Sequence, residues 1–236
     1  MRSALVTGAG SGVGRAVAEA LAAAGFQVGL VGRNEKTLRE TIVAAVAHGA
    51  KMIALPADVS NPLQVQALFE SLQEHGVLSL DVLVNCAGTN TAQRDLEHLT
   101  VEAYQNIINV NLNGAFYCVR AALPLMRAHG GGTIVNIVSD AGLKANAKAG
   151  AAYVASKFGL TGLTESINAE ERENNIRACA IFPGDINTGL LDKRPSPPPV
   201  AARQTMLQPE DIAACVMLAI NLPARAVVEK LVVRPR

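Results

Sequence analysis

Short aliphatic runs alternate with longer alanine-rich stretches of helical pattern along almost the whole chain of 236 residues. The aliphatic runs lie at 4–7, 27–31, 51–56, 82–85, 132–138, 177–182 and 227–233, and the helical stretches at 12–24, 35–48, 62–75, 101–129, 151–174 and 209–221. Strands and helices that alternate in this way form βαβ units and a parallel sheet. The first strands lack polar alternation, as expected where helices cover both faces. The sequence therefore predicts one doubly wound α/β domain over 1–236, with a seven-stranded, mostly parallel sheet flanked by helices on both faces.

The composition excludes several classes of partner. The 21 Lys and Arg nearly balance the 20 Asp and Glu, and there is no basic run to counter a phosphate backbone, so we expect no nucleic-acid partner. No apolar run approaches the ~20 residues of a membrane span, and Gly8 comes too early for a signal peptide. The four cysteines are widely separated and lack metal-ligand spacing. We therefore expect a cytoplasmic protein with reduced thiols, no metal and no membrane partner.

A glycine-rich turn follows the first strand directly, and a helical pattern begins at once. Glycine permits positive φ and lets backbone N–H groups approach a pyrophosphate at the positive end of the helix. The alternative is a plain tight turn, but dinucleotide binding requires this position between strand and helix. The turn therefore predicts a dinucleotide site formed by Gly8, Gly10, Ser11, Gly12, Val13 and Gly14.

The end of the second strand indicates which dinucleotide is bound. An acidic residue at this position usually bonds the ribose 2′-hydroxyl. This chain has Gly32 there, followed by Arg33. A guanidinium with no neighbouring carboxylate favours a 2′-phosphate, so we expect NADP(H), with NAD(H) as the alternative if Arg33 only opens a solvated turn. Ser11 and Asn34 are the expected helpers of Arg33.

Tyr153 and Lys157 are four residues apart on a predicted helix, which places a phenol beside an ammonium group. A nearby cation stabilises the phenolate and lowers the pKa of a tyrosine. The alternative is an ordinary solvated pair. The catalytic interpretation of this pair is favoured because the pair lies downstream of the predicted phosphate-binding turn.

Together these motifs resemble the classical short-chain dehydrogenase/reductase family over essentially the whole chain, and they imply a Rossmann-type fold. The pattern T-G-x-x-x-G-x-G is matched at 7–14. Further matches follow in the family's order: Asp58-Val59, Asn85-Cys86-Ala87-Gly88, Asn109-Val110-Asn111, Ser139, Tyr153 with Lys157, and Pro183-Gly184.

The resemblance also implies roles for these residues. Asp58 and Val59 would meet the adenine. The other cofactor contacts would come from Asn85, Ala87, Gly88, Val110, Tyr153, Lys157, Pro183, Gly184, Ile186 and Thr188. In this reading Asp58 could instead cap the next helix, and Pro183-Gly184 could be an ordinary turn.

The chemistry implied is the interconversion of a carbonyl and a secondary alcohol by hydride transfer. Tyr153 would be the general acid/base, and Lys157 would lower its pKa and hold the nicotinamide ribose. Ser139 would hydrogen-bond the substrate oxygen. Asn111 would sit at a local interruption of a long helix and hold a water that connects Lys157 to solvent. A polar helix residue bonding its own backbone is the alternative for Asn111.

Two departures from the family's pattern affect the cofactor site. Cys86 replaces the second Asn of N-N-A-G, which could loosen that turn. Gly10 stands where many NADP-preferring members carry a polar side chain, so more of the 2′-phosphate recognition would fall to Arg33.

The substrate would be a small carbonyl or alcohol, selected by the segments 185–207 and 140–152. Lys144 and Lys148 favour an acidic substrate, unless they are solvated. The C-terminal residues resemble the branch of 3-hydroxy acid and general carbonyl reductases. Alternatives are a 3-oxoacyl-thioester reductase, an NAD-dependent enzyme and a dinucleotide-sensing regulator without turnover. The long helices resemble those that build homodimers or homotetramers in the family.

Overall fold

The computed structural model describes residues 1–45 and 51–236. Its single sheet has seven strands in the order β3-β2-β1-β4-β5-β6-β7, and every neighbouring pair is parallel. The strands are β1 (Ser3–Thr7), β2 (Gln27–Gly32), β3 (Met52–Pro56), β4 (Val82–Asn85), β5 (Gly132–Ile137), β6 (Ile176–Pro183) and β7 (Lys230–Val233). This confirms the predicted doubly wound α/β fold.

The strand order reverses between β1 and β4. From this point the chain builds outward to β3 on one side and to β7 on the other. The carboxyl ends of the central strands are level, since Thr7 pairs with Asn85 and Asn85 pairs with Asn136. Open α/β sheets bind ligands in the crevice at such a reversal, which places the candidate site beyond these residues.

Helices cover both faces of the sheet. They are α1 (Gly12–Ala23), α2 (Glu35–Ala45), α3 (Pro62–Ser71), α4 (Val101–Ile108), α5 (Gly114–Ala128), α6 (Ala151–Glu171), α7 (Val200–Arg203) and α8 (Pro209–Asn221). Side chains of α1, α2 and α8 join one buried apolar cluster, and those of α3, α5 and α6 join the cluster on the opposite face. The central strands contribute to both, as their lack of polar alternation predicts.

The predicted helix at 101–129 is divided into two helices. A π-helical segment, Asn109–Asn113, separates α4 from α5. The Asn111 amide bonds the backbone of Thr89 in a neighbouring loop, and a local π-turn presents that side chain inward. This confirms the interruption expected at Asn111.

Other boundaries differ at their ends. The helix predicted at 62–75 is shorter in the structure. It ends at Ser71, because the chain then turns towards Gly76, whose φ is +72°. The predicted helix at 151–174 ends with a 3-10 turn, Arg172–Asn174. Residues 46–48 of the predicted helix at 35–48 lie outside the described residues. Among the described residues, no helix is both long and apolar enough to span a bilayer.

The last strand is shorter than the predicted 227–233. The Arg177 guanidinium binds carbonyl groups at the end of α8 and in the following loop, including those of Pro223 and Ala226. These bonds hold the loop away from the sheet, and β7 pairs with β6 only from Lys230 onward.

Candidate active site

The glycine-rich turn lies at the carboxyl end of β1 and leads into α1. Gly8 and Gly12 have φ angles of +67° and +50°, a region in which side chains are strained. A Cβ at Gly14 would lie 2.3 Å from the Gly8 carbonyl oxygen. The turn therefore has glycine where the backbone is left-handed or tightly packed, and it opens beside the exposed Ser11 and the half-buried Val13 at the start of α1. This cradle fits the pyrophosphate of a dinucleotide.

Gly10 has a packing reason in this structure. A Cβ on Gly10 would lie 2.3 Å from Thr37 Oγ1, so α2 leaves no room for the polar side chain found in other family members. Arg15 supports the same loop, because its Nη2 donates to the Gly10 carbonyl at 2.8 Å. The close approach of α2 thus accounts for glycine at this position.

The end of β2 offers a free cation. Arg33 is exposed and makes no ion pair or side-chain hydrogen bond within the described parts of the chain. Asn34 Oδ1 accepts from Lys36 N at 3.0 Å, and the nearby Glu35 pairs with Arg39. Since the closest carboxylate in sequence is already paired, Arg33 can receive a phosphate without a competing anion.

The turn after β4 is well supported despite Cys86. The Thr7 hydroxyl accepts from the backbone N–H groups of Cys86 and Ala87, both at 3.1 Å. These bonds involve only the backbone of the turn, so loss of the family's Asn side chain does not release it. Gly8 packs here too, because a Cβ on it would lie 3.0 Å from Ala87 N. Asn85 donates to Asn136 at 2.9 Å, and Gly88 lies close to Asn111.

The remaining cofactor candidates border the same crevice. Asp58 accepts from the N–H and hydroxyl of Ser60 and thereby holds the turn before α3, whose cap is Asn61. Val59 is buried against Gly114, and Val110 lies half-buried in the π-helical segment.

On the far side of the crevice, Gly184 N donates to Val233 O, and Ile186 forms a bridge with Leu207. Pro183 ends β6. A Cβ on Gly12 would lie 3.2 Å from Thr188 Cγ2, so the start of the segment 185–207, hereafter the lid, touches the glycine-rich turn.

Lys157 is buried beneath Tyr153. Its Nζ donates to the Ile137 carbonyl at 2.8 Å and lies 5.5 Å from the centre of the Tyr153 ring. Burial lowers the pKa of Lys157 to about 8, while the neighbouring Cys86 acts in the opposite direction. The structure therefore places the predicted pair side by side on α6.

Burial has the largest effect on Tyr153 and raises the pKa of its phenol to about 12. The polar contact with Ser139 lowers this pKa, Asp140 raises it, and the charges of Arg194 and Arg94 lower it. Lys157 is not among the groups that act on this pKa, so the effect expected of Lys157 on Tyr153 remains a prediction. The ammonium group faces the tyrosine ring and is held by a carbonyl of β5, whereas the two arginines supply the stabilising positive charge.

Ser139 and Asn111 complete the predicted catalytic set. The Ser139 hydroxyl donates to Asp140 Oδ1 at 3.0 Å and accepts from Ala141 N at 3.2 Å. The Asn111 side chain accepts from Thr89 N at 2.7 Å and donates to Thr89 O at 3.0 Å and to Ser156 Oγ at 3.1 Å. Asn111 therefore joins the loop after β4 to α6, and it does not bond its own backbone as the alternative held.

Sequence reasoning missed Arg94, which lies beside this set. It is only 6% exposed and donates to three backbone carbonyls in three segments, those of Thr91 (2.7 Å), Lys148 (3.1 Å) and Lys193 (2.6 Å). No motif marks it, since it follows the N-C-A-G turn in an ordinary polar loop. The one sequence signal that could have identified Arg94 as a site residue is its position in the loop after the central strand β4. In contrast, the side chains of Lys144 and Lys148 are exposed.

A sequence profile of the family described as short chain dehydrogenase matches residues 2–198. The chain belongs to the short-chain dehydrogenase/reductase family. It is an oxidoreductase with the Rossmann-type fold of that family, whose members act on small molecules.

Individual members of the family match over most of the chain. A 3β-hydroxysteroid dehydrogenase of Mediterraneibacter gnavus is 41% identical over 190 residues, which is 80% of this chain and 67% of the relative. The structure of a metagenomic short-chain oxidoreductase in complex with NADP has a TM-score of 0.85 and 32% identity, covering 100% of this chain and 97% of that one. The actinorhodin polyketide ketoreductase with NADPH has a TM-score of 0.89 and 29% identity, covering 98% and 95%.

Proposed function

We propose that this short-chain dehydrogenase/reductase interconverts a carbonyl and a secondary alcohol with NADP(H), and that residues 1–236 act as one catalytic domain. The observation that carries the proposal is the position of Tyr153. Its phenol lies above the buried Lys157 and beside Ser139, at the same end of the sheet as the glycine cradle. A proton donor and a dinucleotide cradle in one crevice are what carbonyl reduction needs.

The bound cofactor supplies or accepts the hydride at the carbon of the substrate. Tyr153 is protonated at neutral pH and donates its proton to the carbonyl oxygen, and it takes the proton back when an alcohol is oxidised. The Ser139 hydroxyl turns from Asp140 to donate its hydrogen bond to that oxygen and thereby orients it. Lys157 holds the nicotinamide ribose and passes protons towards solvent through a water held near Asn111.

Arg33 is the basis for proposing NADP(H) over NAD(H). It is exposed and unpaired in the described parts of the chain, and β2 ends in Gly32 without a carboxylate. The NADP and NADPH complexes of the two similar structures support the same choice. Titration with each reduced cofactor, followed by the cofactor's own fluorescence, tests it against the clean background of a chain without Trp. Equally tight NADH binding would defeat the assignment.

Substitution of Tyr153 by Phe tests the catalytic role. The variant loses the proton donor but keeps the ring, so we expect NADPH binding to stay within about twofold and turnover to fall by at least ~100-fold. Turnover is measured on a panel of carbonyls with both cofactors. Undiminished turnover would remove Tyr153 from the mechanism. Tight NADPH binding by the wild type without turnover of any carbonyl would favour a dinucleotide sensor.

The 41% identity to a 3β-hydroxysteroid dehydrogenase favours a second candidate, a hydroxysteroid substrate. A steroid alcohol is large and neutral, so it would need an apolar crevice beneath the lid. The same panel decides between the candidates when it includes a 3-hydroxysteroid beside small oxo acids and ketones. A higher kcat/KM for the steroid than for every small substrate would select the second candidate.

We also propose a homo-oligomer built through the long helices. Phe116 on α5 is 43% exposed and Phe158 on α6 is 44% exposed, which is unusual for large aromatic side chains on neighbouring helices. Light scattering with size-exclusion chromatography distinguishes a dimer or tetramer from a monomer. A monomer at micromolar concentration would contradict this proposal.

A further inference from the structure

Arg94 is a buried cation that keeps part of its hydrogen-bonding capacity. A guanidinium has five N–H groups. Arg94 donates three hydrogen bonds, all to backbone carbonyls, and they connect the loop after β4, the loop before α6 and the lid. Carbonyl groups solvate a positive charge but do not neutralise it. Two N–H groups and a net charge therefore remain in a side chain that is 6% exposed.

Two other arginines show how this chain usually satisfies such a group. Arg177 donates to five acceptors, the Thr133 hydroxyl and four carbonyls, at 2.5 to 3.0 Å. Arg127 pairs through two nitrogens with the buried carboxylate of Glu171. Arg94 has neither five acceptors nor a carboxylate within 4.0 Å in the residues 1–45 and 51–236. An unneutralised buried charge is costly, so an anion at this place would be stabilised.

The lid brings further positive charge to the same place. Lys193, whose carbonyl binds Arg94, donates through Nζ to Thr89 Oγ1 at 2.9 Å and has no carboxylate partner among the described residues. Arg194 follows it and is paired with Asp185. Asp140 is the acidic residue that acts on the pKa of Tyr153. Its carboxylate already accepts from the Ser139 hydroxyl and lies 3.8 Å from the Arg234 guanidinium. The unbalanced charges are therefore those of Arg94 and Lys193.

These charges lie around the group that would meet the substrate. Arg94 packs against Gly150, three residues before Tyr153, since a Cβ on Gly150 would lie 2.6 Å from Arg94 Cβ. The positive charges of Arg94 and Arg194 both lower the pKa of Tyr153. The loop that carries Thr89 is fixed to α6 through Asn111, which sets the distance between the cations and the phenol. A substrate whose carbonyl oxygen meets Tyr153 would bring a nearby substituent to Arg94.

We propose that Arg94 and Lys193 form an anion subsite beside Tyr153, so that the substrate is a small oxo acid or hydroxy acid recognised through its carboxylate. The assignment rests on the proposed carbonyl reduction and narrows its substrate class. Arg94 is then a specificity-determining residue. Lys144 and Lys148, the lysines singled out from the sequence, take no part in it.

The first experiment compares 3-oxobutanoate with its methyl ester, two ketones that differ in the anionic group. With NADPH, the expected kcat/KM for the acid exceeds that for the ester by about tenfold or more, since a charge-assisted hydrogen bond contributes ~1.5–3 kcal/mol. Equal values, or a preference for the ester, would overturn the subsite while leaving carbonyl reduction intact.

If neither ketone nor any other carbonyl is reduced, the proposed function fails, and binding decides the subsite separately. Thermal denaturation with NADP+ is then followed in butanoate and in butanamide at equal ionic strength. A rise in Tm with butanoate alone that Arg94→Gln abolishes supports the anion subsite. The same response to both compounds, or to neither, overturns it.

Two variants separate the charge of Arg94 from its role in joining the loops. Arg94→Gln removes the charge, and Arg94→Lys keeps it while losing the planar fork. We expect the ratio of the two kcat/KM values to fall in Arg94→Gln to the roughly two- to fourfold that Lys193 alone supplies, and to stay above about fivefold in Arg94→Lys. An equal loss on acid and ester in both variants, with an unchanged ratio, would show that Arg94 only joins the loops and would overturn the proposal.

Lys148→Gln is the matched control, because it removes an exposed charge from the loop that binds Arg94 and should leave the ratio unchanged. Should Arg94→Gln not fold, Lys193→Gln takes its place, because the Lys193 side chain is exposed and its loss cannot disrupt a core. A two- to fourfold fall in the ratio is then expected from loss of a partly screened charge, and no fall would overturn the subsite.

Discussion

The two walls of the crevice are constructed differently. On the wall of β1 and α1 the backbone itself forms the surface, through glycines whose missing side chains leave room for close approach. On the wall of the lid and the loop after β4, side chains hold the surface together by hydrogen bonds that span as many as 104 residues of sequence. The first kind of wall needs a short run of particular residues. The second needs only that distant residues meet in the fold, so it leaves no local pattern.

The largest effect on NADPH binding is expected from Gly14→Ala, which changes the wall formed by the backbone of β1 and α1. The added methyl group would lie 2.3 Å from the Gly8 carbonyl, which cannot move without shifting the turn against α1. Overpacking of ~2–3 kcal/mol predicts about 100-fold weaker NADPH binding in a fluorescence titration.

Gly162→Ala is the control for this prediction. It lies within α6 with nothing inside 4 Å of the new Cβ. It should leave NADPH binding unchanged and raise the free energy of unfolding by up to ~1 kcal/mol. Comparable losses in the two variants would mean that any added methyl group harms this protein and that the turn is not special.

Asn111→Ala should weaken the other wall and leave the first one intact. It removes the three hydrogen bonds that join Thr89 to α6. We expect kcat/KM to fall about 30-fold, as the loss of bonds worth ~2 kcal/mol predicts, with NADPH affinity within twofold of wild type. Asn113→Ala serves for comparison, because its bond to Asn109 is exposed. If NADPH affinity falls as far as kcat/KM does in Asn111→Ala, the two walls are not independent.

Arg33→Ala sharpens the account of the first wall by testing the side chain at the end of the adjoining β2 that is proposed to bind the 2′-phosphate. Loss of a charge-assisted bond to the 2′-phosphate predicts about 20-fold weaker NADPH binding with NADH unchanged. Arg39→Ala removes a neighbouring arginine that is already paired with Glu35, and it should change neither affinity. An equal fall for both cofactors in Arg33→Ala would mean that Arg33 supports the turn and does not read the phosphate.

The smallest effect is expected in the pH dependence of kcat/KM, which tests the buried Lys157 between the two walls. The pKa of Lys157 is lowered to about 8, so its ammonium group loses its proton as the pH rises through that value, whereas Tyr153 keeps its proton up to about 12. For carbonyl reduction, a single required cation of this pKa predicts a fall of about eightfold in kcat/KM between pH 7.5 and 9. A profile that stays flat to pH 9 would show that the charge of Lys157 is not required.

The extent of sequence prediction follows the same division. The sheet, the glycine turn and the pair on α6 were predicted because each depends on neighbouring residues or on a fixed helical spacing. The short helix α7 in the lid was not predicted, since a proline-rich loop carries no helical period. The shortening of β7 was also missed, because it depends on Arg177 reaching carbonyls more than 40 residues away.

The site shows why chemistry is harder to predict than position. Tyr153 and Lys157 were placed side by side correctly, but the burial that raises the pKa of Tyr153 was not predicted. Spacing alone cannot show that Lys157 faces the Ile137 carbonyl or that the phenol is buried. The arginines that act on Tyr153 come from two loops, and neither had any marked position in the sequence.

The contact of Gly12 with Thr188 gives the two walls a shared boundary. Thr188, the fourth residue of the lid, rests against the turn proposed to hold the pyrophosphate, only the width of a methyl group from Gly12. Any cofactor that favours one position of this turn therefore favours one position of the lid as well. By thermodynamic linkage the substrate must then tighten the cofactor by the same factor by which the cofactor tightens the substrate. One small contact would thus make the two binding events cooperative, and their common coupling factor could be measured from either side.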